Sequence, residues 1–217
     1  DDVIDGANGN YRVFAGDGDD TIRLGEGDHL ILADTGVVNV LDSILVADKY
    51  GNGDDDITLG AGNSRILAGS GDDDITVSAG DHDILGDTGS IDYVNGTFTA
   101  DETGSGNDTI NIKDSNGVLQ AGNQRILGGL GEDKINLGEG NSVVIGDTGS
   151  LQYNGEALVT AISTSSFGAK DIINVAAGDH VIIGGAGADT IITGTGGIHR
   201  VIGDNGTITY DAGALRS

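Results

Sequence analysis

The sequence contains no cysteine, proline, methionine or tryptophan, and only 10 of its 217 residues are lysine or arginine. Without cysteine, disulfides and thiolate metal sites are impossible, so the fold must be stabilised by oxygen ligands or by apolar stacking. The absence of proline excludes a collagen-like helix. A net charge of −25 repels nucleic-acid phosphate and anionic lipid headgroups, so we expect no nucleic-acid partner and a requirement for cations.

Long apolar segments and targeting signals are also missing. No apolar run approaches the roughly 20 residues of a membrane span, so we expect no membrane insertion. The chain opens with Asp1-Asp2, without an initiating methionine or a signal peptide, and we interpret it as a segment of something larger. Helix is nearly excluded, because the 40 glycines and the many aspartates are poor helix formers.

What the sequence does contain is an internal repeat. Apolar residues follow Gly/Asp clusters every nine residues, as at Ile57, Ile66, Ile75 and Ile84. The series closes four times with a short acidic turn, and the aspartates of these acidic turns are 53, 60 and 57 residues apart. They are Asp34, Asp87, Asp147 and Asp204. We predict one domain over residues 1–217, made of four repeats of about 57 residues. The expected bounds are roughly 1–49, 50–102, 103–165 and 166–217.

Each nine-residue unit has the pattern of a tight turn followed by a short strand. In one such strand Ile75 and Val77 are expected to point inward while Thr76 points outward. Strands this short bury a core only by stacking as parallel coils. Two units make an 18-residue coil, so the length predicts about 12 coils. The predicted fold class is all-β, a parallel β-roll or β-helix solenoid with hairpin-like inserts.

One half of each coil carries the nonapeptide G-G-x-G-x-D-x-U-x, with the first glycine relaxed in several copies, as in Ala68-Gly69-Ser70-Gly71-Asp72-Asp73-Asp74-Ile75-Thr76. In this pattern the chain resembles the RTX (repeats-in-toxin) calcium-binding family of secreted bacterial proteins. The resemblance implies a parallel β-roll that binds Ca²⁺. It also implies a chain that stays unfolded in the calcium-poor cytosol, leaves by type I secretion and folds outside the cell.

The chemistry of these turns supports calcium independently. Glycines permit positive φ and let carbonyl oxygens point inward, and the aspartate at the sixth position adds a carboxylate. Two turns stacked one coil apart, such as those of Asp55 and Asp73, can supply the six to eight oxygens that Ca²⁺ prefers. Asp87 is predicted to close a second site above Asp73. The alternative is that these are plain Gly/Asp turns held by side-chain hydrogen bonds.

The candidate metal ligands are the second and fourth residues (both glycine) and the aspartate at the sixth position of each nonapeptide turn, together with the aspartates of the acidic turns. They are Gly16, Gly18, Asp20, Gly51, Gly53, Asp55, Gly69, Gly71, Asp73, Gly104, Gly106, Asp108, Gly129, Gly131, Asp133, Gly185, Gly187, Asp189, Asp34, Asp87, Asp147 and Asp204. The turn that ends at Asp171 departs from the motif, so we do not include that residue.

The opposite half of the coil has histidine, serine or glutamine at the sixth position, and we expect no calcium site of the same kind there. The histidines at equivalent places are His29, His82, His180 and His199. Because they recur in one turn, we interpret them as turn-stabilising, with a transition-metal site as the alternative. Four arginines immediately precede an inward residue, and we expect a charge ladder against the aspartate turns. They are Arg12, Arg65, Arg125 and Arg200.

The outward strand position on this half is apolar in every coil, which would form an apolar stripe that needs a cover. The stripe residues are Phe14, Leu32, Leu67, Leu85, Leu127, Ile145, Ile183 and Ile202. Irregular inserts at 39–49, 92–102 and 152–166 could cover it, and two of them carry a hairpin-type Asn-Gly pair. We predict that the inserts fold back over the stripe. The rival is that another chain covers it.

These features favour a non-catalytic, calcium-stabilised structural module of an extracellular or cell-surface bacterial protein, such as an adhesin stalk, a fibre or a surface layer. The alternative is an RTX tail that aids secretion and folding of a lipase, protease or epimerase. An enzyme in its own right is disfavoured, because no carboxylate or histidine cluster occurs only once. The coils lack polar end caps, so copies of the chain are further candidate partners, stacking end to end or pairing through the stripe.

Overall fold

The described residues of the chain fold into three β-sheets of eight strands each. The fold is described here from a computed structural model, which describes residues 1–39, 44–47, 51–211 and 214–215. The parts of the predicted cover at 40–43 and 48–49, and Tyr50 at the start of one predicted turn, lie outside the described residues. Within the described ranges, no helix is long and apolar enough to cross a membrane.

Two of the sheets are parallel and face each other. Sheet A consists of β1 (Val3–Gly6), β3 (Thr21–Leu24), β7 (Asp56–Leu59), β9 (Asp74–Val77), β13 (Thr109–Ile112), β15 (Lys134–Leu137), β19 (Ile172–Val175) and β21 (Thr190–Thr193). Sheet B consists of β2 (Arg12–Phe14), β4 (Leu30–Leu32), β8 (Arg65–Leu67), β10 (Asp83–Leu85), β14 (Arg125–Leu127), β16 (Val143–Ile145), β20 (Val181–Ile183) and β22 (Arg200–Ile202).

The predicted parallel solenoid is therefore confirmed, but the expected number of about 12 coils is wrong. Each coil contributes one strand to sheet A and one to sheet B, and the described residues form eight coils. The estimate assumed that the whole chain runs through coils of 18 residues. Instead, the inserts and the residues that follow each acidic turn leave the solenoid and build a sheet of their own.

The core between sheets A and B consists of stacked aliphatic side chains in strict register. Ile57 pairs with Ile75 in sheet A, and Ile66 pairs with Ile84 in sheet B. All four are completely buried. Each coil places an isoleucine or valine above an isoleucine or valine of the coil below. The strands therefore cannot slip by one residue without exposing this column to water.

Sheet C is antiparallel and covers the outer face of sheet B. Its strands are β5 (Gly36–Asn39), β6 (Ile44–Ala47), β11 (Gly89–Asp92), β12 (Thr97–Ala100), β17 (Gly149–Asn154), β18 (Ala157–Ser163), β23 (Gly206–Asp211) and β24 (Ala214–Leu215). Leu67 and Leu127 of the apolar stripe are buried against Phe98 and Leu151 of sheet C. The prediction that the inserts cover the stripe is confirmed, and sheet C leaves no access for another chain to the buried part of it. Phe14 in the first coil is 52% exposed.

Two hairpins of sheet C turn at the predicted Asn-Gly pairs. Gly96 lies between β11 and β12, and Gly155 lies between β17 and β18. Their φ values are 66° and 61°, a left-handed conformation that glycine adopts without the steric cost of a Cβ atom. These short turns return the chain beside the strand that it has just left, which is what brings it back to the solenoid to begin the next repeat.

Candidate calcium sites

One long edge of the solenoid, which we call the aspartate edge, is formed by the connections between sheet B and sheet A. Four of these are direct turns, at 15–20, 68–73, 128–133 and 184–189, and three are return segments from sheet C, at 51–55, 104–108 and 168–171. Successive connections are stacked by backbone hydrogen bonds, such as that from Gly53 N–H to the Ser70 carbonyl (2.9 Å). Gly71 has a φ of 136°, and a Cβ atom there would overlap the carbonyl oxygen of Gly53. The glycines therefore set how closely the turns approach.

The sixth positions of these connections form a continuous column of carboxylates, which we call the aspartate column. In each coil, the aspartate N–H donates a hydrogen bond to the Oδ1 atom of the aspartate in the next coil, at 2.5–3.0 Å. Asp55 N–H, for example, donates to Asp73, and Asp73 N–H donates to Asp108. The column residues are Asp20, Asp55, Asp73, Asp108, Asp133, Asp171 and Asp189.

The second carboxylate oxygen of every column residue has no hydrogen-bond partner in the structure. All seven Oδ2 atoms are buried. Asp55, Asp73 and Asp133 are each no more than 2% exposed. Burying a carboxylate oxygen without a partner is strongly unfavourable, so a buried row of such oxygens points to a ligand of opposite charge.

The aspartates of three acidic turns lie against the same edge. Asp34 fills the space beside Gly51 and Gly69, Asp87 lies beside Gly129, and the side chain of Asp147 contacts the positions of Gly168 and Gly185. Each one accepts a hydrogen bond from the turn of the following repeat, as Asp87 Oδ2 does from Leu130 N–H at 2.5 Å. The acidic turn of one repeat is thus joined to the nonapeptide turns of the next.

Burial dominates the electrostatics of this edge. Removal from water raises the pKa of Asp87 to about 9 and that of Asp171 to about 8, and neighbouring aspartates add to both shifts. The pKa values of Asp55 and Asp147 rise to about 7, again chiefly by desolvation. Burial also raises the pKa values of Asp73, Asp108 and Asp133. Without a counter-ion the edge favours protons on its carboxyl groups, and a divalent cation would favour their ionised form.

The structure changes the sequence prediction at two aspartates. The acidic turn of Asp87 lies one coil above the 68–73 turn, because Gly69 N–H donates to the Gly86 carbonyl (3.0 Å), and a calcium ion shared by Asp87 and Asp73 stays a prediction. Asp171, excluded because its turn departs from the motif, is fully buried in the column and bonded to Asp133 and Asp189. Asp204 is exposed after the last coil, and a Cβ atom placed on the neighbouring Gly203 would meet no other atom within 4 Å. The structure does not bring Asp204 to the other candidate ligands.

The opposite edge, which we call the histidine edge, has the same row of hydrogen bonds from backbone N–H groups to side chains of the next coil, but the acceptor side chains differ. His82 Nδ1 accepts a hydrogen bond from Ser64 N–H (3.1 Å), and His82 N–H donates to Gln124 Oε1 (2.9 Å). His82 Nε2 lies 2.9 Å from the Ser78 carbonyl oxygen, which assigns the neutral ring with its proton on Nε2. Burial lowers the pKa of His82, consistent with the neutral form. The interpretation of His82 as a turn-stabilising residue agrees with this geometry.

The predicted arginine ladder against the aspartate turns is wrong for Arg65 and Arg125. Arg125 pairs with Asp83 of the same sheet, with 2.5 Å between Nε and Oδ1, and its guanidinium lies over the ring of Tyr153. Arg65 lies 4.0 Å from the centre of the Tyr93 ring. Residues adjacent in a strand point to opposite faces, so an arginine that precedes an inward residue faces sheet C.

Glycine–aspartate turns stacked along one edge of two parallel sheets define a β-roll built from nonapeptide repeats. The chain belongs to the RTX calcium-binding nonapeptide repeat family, whose sequence model matches it four times, at residues 1–28, 50–81, 120–150 and 167–197. These four copies cover more than half of the chain. Repeats of this family bind calcium, and they are generally non-catalytic modules of proteins that bacteria secrete. Among curated proteins and solved structures, no significant match was found.

The residues of the aspartate edge fit the ion that the family binds. Ca²⁺ prefers hard oxygen ligands, and the edge presents buried carboxylate oxygens that have no other partner. Within the described residues, no three acidic or histidine side chains form a metal cluster on their own. Backbone carbonyl oxygens of the glycine turns would be needed to complete the coordination of an ion there.

Proposed function

We propose that calcium ions bind between successive turns of the aspartate edge and hold the coils of the solenoid together. The observation that carries this proposal is the row of seven buried Oδ2 atoms without a partner. The proposed ligands are the column aspartates, Asp34, Asp87 and Asp147, and carbonyl oxygens of the glycine turns. Asp171 joins this set, and Asp204 stays a weaker candidate, because no turn stacks above it.

The role that follows is that of a calcium-stabilised structural module in a secreted or cell-surface bacterial protein. Because the ions bind only where turns are stacked, their binding free energy adds to the free energy of folding. Such a chain is held unfolded where calcium is scarce and becomes rigid where it is abundant. Stalks of adhesins, fibres and surface layers use rigid spacers of this kind. The alternative role, as a tail of a secreted enzyme, uses the same chemistry, and the coding sequence on either side would distinguish the two.

Association of copies end to end remains part of the proposal. In the last coil the inward residues Val201 and Ile191 are partly exposed (46% for Val201), whereas their counterparts Ile182 and Ile173 in the coil below are completely buried. A second solenoid placed on this coil would bury them. Solution scattering over a range of concentrations tests this, and a mass equal to one chain at the highest concentration would contradict it.

The first experiment is circular dichroism of chelator-stripped protein titrated with Ca²⁺ and, separately, with Mg²⁺. We expect a coil spectrum that becomes β only with Ca²⁺, because Mg²⁺ demands a tighter octahedral site and gives up its water reluctantly. A β spectrum that chelator does not alter would contradict the proposal.

Adjacent aspartates in one turn provide a matched pair of variants. Asp73→Asn keeps an oxygen that can accept the Asp55 N–H but removes the charge in the column. Asp74→Asn makes the same change at an exposed side chain one residue away. We expect only Asp73→Asn to raise the Ca²⁺ concentration at the midpoint of folding. Equal midpoints for the two variants would show that net charge, and not the column, determines calcium binding.

A further inference from the structure

Six asparagines are followed directly by a glycine, and such a pair is where a chain can react with its own backbone. They are Asn8, Asn52, Asn95, Asn116, Asn154 and Asn205. In deamidation the backbone nitrogen of the next residue attacks the side-chain amide carbon of the asparagine. A following glycine favours this attack, because it has no Cβ atom in the way and its backbone rotates freely. The sequence does not distinguish the six pairs, but their hydrogen bonds do.

Three of the pairs are held by hydrogen bonds to neighbouring coils or strands. Gly9 N–H donates to the Glu26 carbonyl (2.8 Å), and Gly53 N–H donates to the Ser70 carbonyl (2.9 Å). Asn205 is bound through both polar atoms of its side chain, with Oδ1 accepting one hydrogen bond and Nδ2 donating another. Attack at any of these pairs must first break a hydrogen bond of the folded chain, which slows the reaction.

Two further pairs lie in turns, but an aspartate holds one reacting group of each. Asn95 donates to Asp92 twice, from Nδ2 to Oδ2 (2.7 Å) and from its backbone N–H to Oδ1 (3.0 Å). Asp114 accepts the Asn116 N–H at Oδ1 (2.9 Å) and the Gly117 N–H at its backbone carbonyl (2.9 Å). The amide under attack is therefore engaged in the first pair, and the attacking nitrogen is engaged in the second.

In the pair of Asn154 and Gly155, both reacting groups are free. Asn154 is the last residue of β17, Gly155 opens the short turn to β18, and both residues are exposed. Among the described residues, neither the Asn154 side chain nor the Gly155 N–H has a hydrogen-bond partner. A Cβ atom placed on Gly155 would meet no other atom within 4 Å. The Asn154 side chain therefore has open space in which to rotate toward the glycine nitrogen.

We propose that Asn154 of the folded chain is a site of spontaneous deamidation. The Gly155 nitrogen forms a bond to Asn154 Cγ, and the bond from Cγ to Nδ2 breaks. The Gly155 proton leaves with the NH₂ group as ammonia, and a succinimide ring remains. Water then adds to one of the two ring carbonyl carbons and opens the ring. Opening on one side gives aspartate, and opening on the other gives isoaspartate, in which the main chain runs through Cβ and Cγ.

Both products change the outer end of one sheet C hairpin. Each adds a negative charge next to Glu156, and isoaspartate also lengthens the main chain by one atom where Asn154 pairs with Ala157. We expect this last pair of β17 and β18 to be lost, whereas Leu151 and Ala161 further along the same strands are completely buried and should stay paired. The reaction therefore marks the age of the folded protein without dismantling its fold.

The test is peptide mapping by mass spectrometry after the full chain has been incubated in saturating calcium and mildly alkaline buffer, with ammonia release measured in parallel. We expect Asn154 to react at least about tenfold faster than Asn8 or Asn52, because attack at those two must first break a backbone hydrogen bond. Asn154→Gln should remove most of the ammonia release, since the longer side chain has to close a larger ring. The matched control is Asn116→Gln, which changes a pair whose glycine N–H is bonded and should leave the release unchanged.

Two results in calcium would overturn the inference. One is reaction of Asn154 no faster than that of Asn8 and Asn52, and the other is ammonia release from Asn154→Gln equal to that of wild type. A parallel incubation in chelator tests the proposed function instead, because a coil exposes all six pairs and should bring their rates together. Continued protection of Asn8 and Asn52 in chelator would contradict calcium-dependent folding and leave the assignment of Asn154 intact.

Discussion

Both long edges of the solenoid have a row of hydrogen bonds, which we call the ladder, from the backbone N–H of one coil to a side chain of the next. The two edges differ in which side-chain atoms of the ladder remain unpaired. On the aspartate edge, Asp73 uses one oxygen to accept the Asp55 N–H and keeps the other buried and unpaired. On the histidine edge, His82 uses Nδ1 to accept the Ser64 N–H and pairs Nε2 with a carbonyl oxygen of its own turn. Among the described residues of the histidine edge, only His199 Nδ1, in the last coil, is buried and unpaired, whereas every column aspartate has a buried oxygen that a cation would satisfy.

The comparison shows that the ladder and the ion site are separable properties of a turn. Any side chain whose acceptor atom reaches the backbone N–H of the preceding coil maintains the ladder. For this reason Ser64, His82 and Gln124 can follow one another on the histidine edge. Only a carboxylate adds a second, charged oxygen. We therefore expect calcium dependence to be confined to one edge of the rod, although its two edges are otherwise built alike.

The largest expected effect comes from neutralising two column residues together, in Asp55→Asn/Asp108→Asn. In calcium this variant should lose about 2.7 kcal/mol of unfolding free energy for each site destroyed, at an ion concentration 100 times Kd. In chelator at pH 8 the sign should reverse, because a buried amide replaces a buried carboxylate that has no counter-ion. Urea unfolding measures the effect in calcium. The β-sheet circular dichroism of the chelator-stripped chains measures it without calcium, where the variant should contain more β structure than wild type. Less β structure in the variant than in wild type would contradict this prediction.

The second effect is a pH dependence specific to the calcium-free protein. The folded pKa values of Asp55 and Asp147 are raised to about 7 and that of Asp171 to about 8, above the unfolded value of about 3.9. Their stabilising contribution is complete below about pH 4 and is lost as the pH rises through the folded values. We expect the chelator-stripped chain, a coil at pH 8.5, to show more β-sheet circular dichroism at pH 6.5 than at pH 8.5.

Saturating calcium should abolish that loss, because the ion replaces the protons. The pKa of His82 is lowered, so it contributes with the opposite sign, but only as the pH falls below about 6.5. A calcium-free chain whose β-sheet signal increases from pH 6.5 to pH 8.5 would show that ionisation of the column carboxylates does not destabilise the fold.

A smaller effect is expected on the histidine edge. His82→Leu leaves Ser64 N–H without its acceptor, and an unpaired buried amide costs about 1–3 kcal/mol. His82→Gln supplies the side chain that Gln124 already provides one coil away, so we expect it to restore most of the loss. Thermal unfolding in calcium measures both variants. Neither should alter the number of calcium ions bound, and a reduced number would place a metal site on this edge.

The smallest effect is expected at the exposed end of the rod. Asp204→Asn changes an acidic-turn aspartate that no further turn covers. We expect a change within about 0.5 kcal/mol, as for other surface substitutions. Calcium binding measured by calorimetry should be unchanged. The equivalent change at Asp147, buried beside Gly185, should lower the number of ions bound.

The nine-residue period was enough to predict much of the fold. It identified inward residues such as Ile57 and Ile75, the parallel stacking, and the apolar stripe that needs a cover. The Asn-Gly pairs identified two hairpins of that cover. The period could not give the number of coils, because strands of sheet C have alternating patterns like those of the solenoid and occupy comparable lengths of chain.

The site was predicted less completely, because burial depends on neighbours in other repeats. Asp171 belongs to a turn with a degraded motif, yet the intact turns of Asp133 and Asp189 on either side bury it. Its spacing of two residues before Ile173 was the available signal, since the same spacing separates Asp73 from Ile75.

The third sheet also has a consequence for how such a molecule can change in length. Each repeat adds two strands to sheets A, B and C alike, so all three advance by about 9.6 Å per repeat. Deleting a single coil would remove one step from A and B but not from C, and would bring the sheet C strands out of alignment with the rows they cover. Recombination within the gene can therefore lengthen or shorten the rod only in whole repeats, which makes its reach a multiple of one fixed increment.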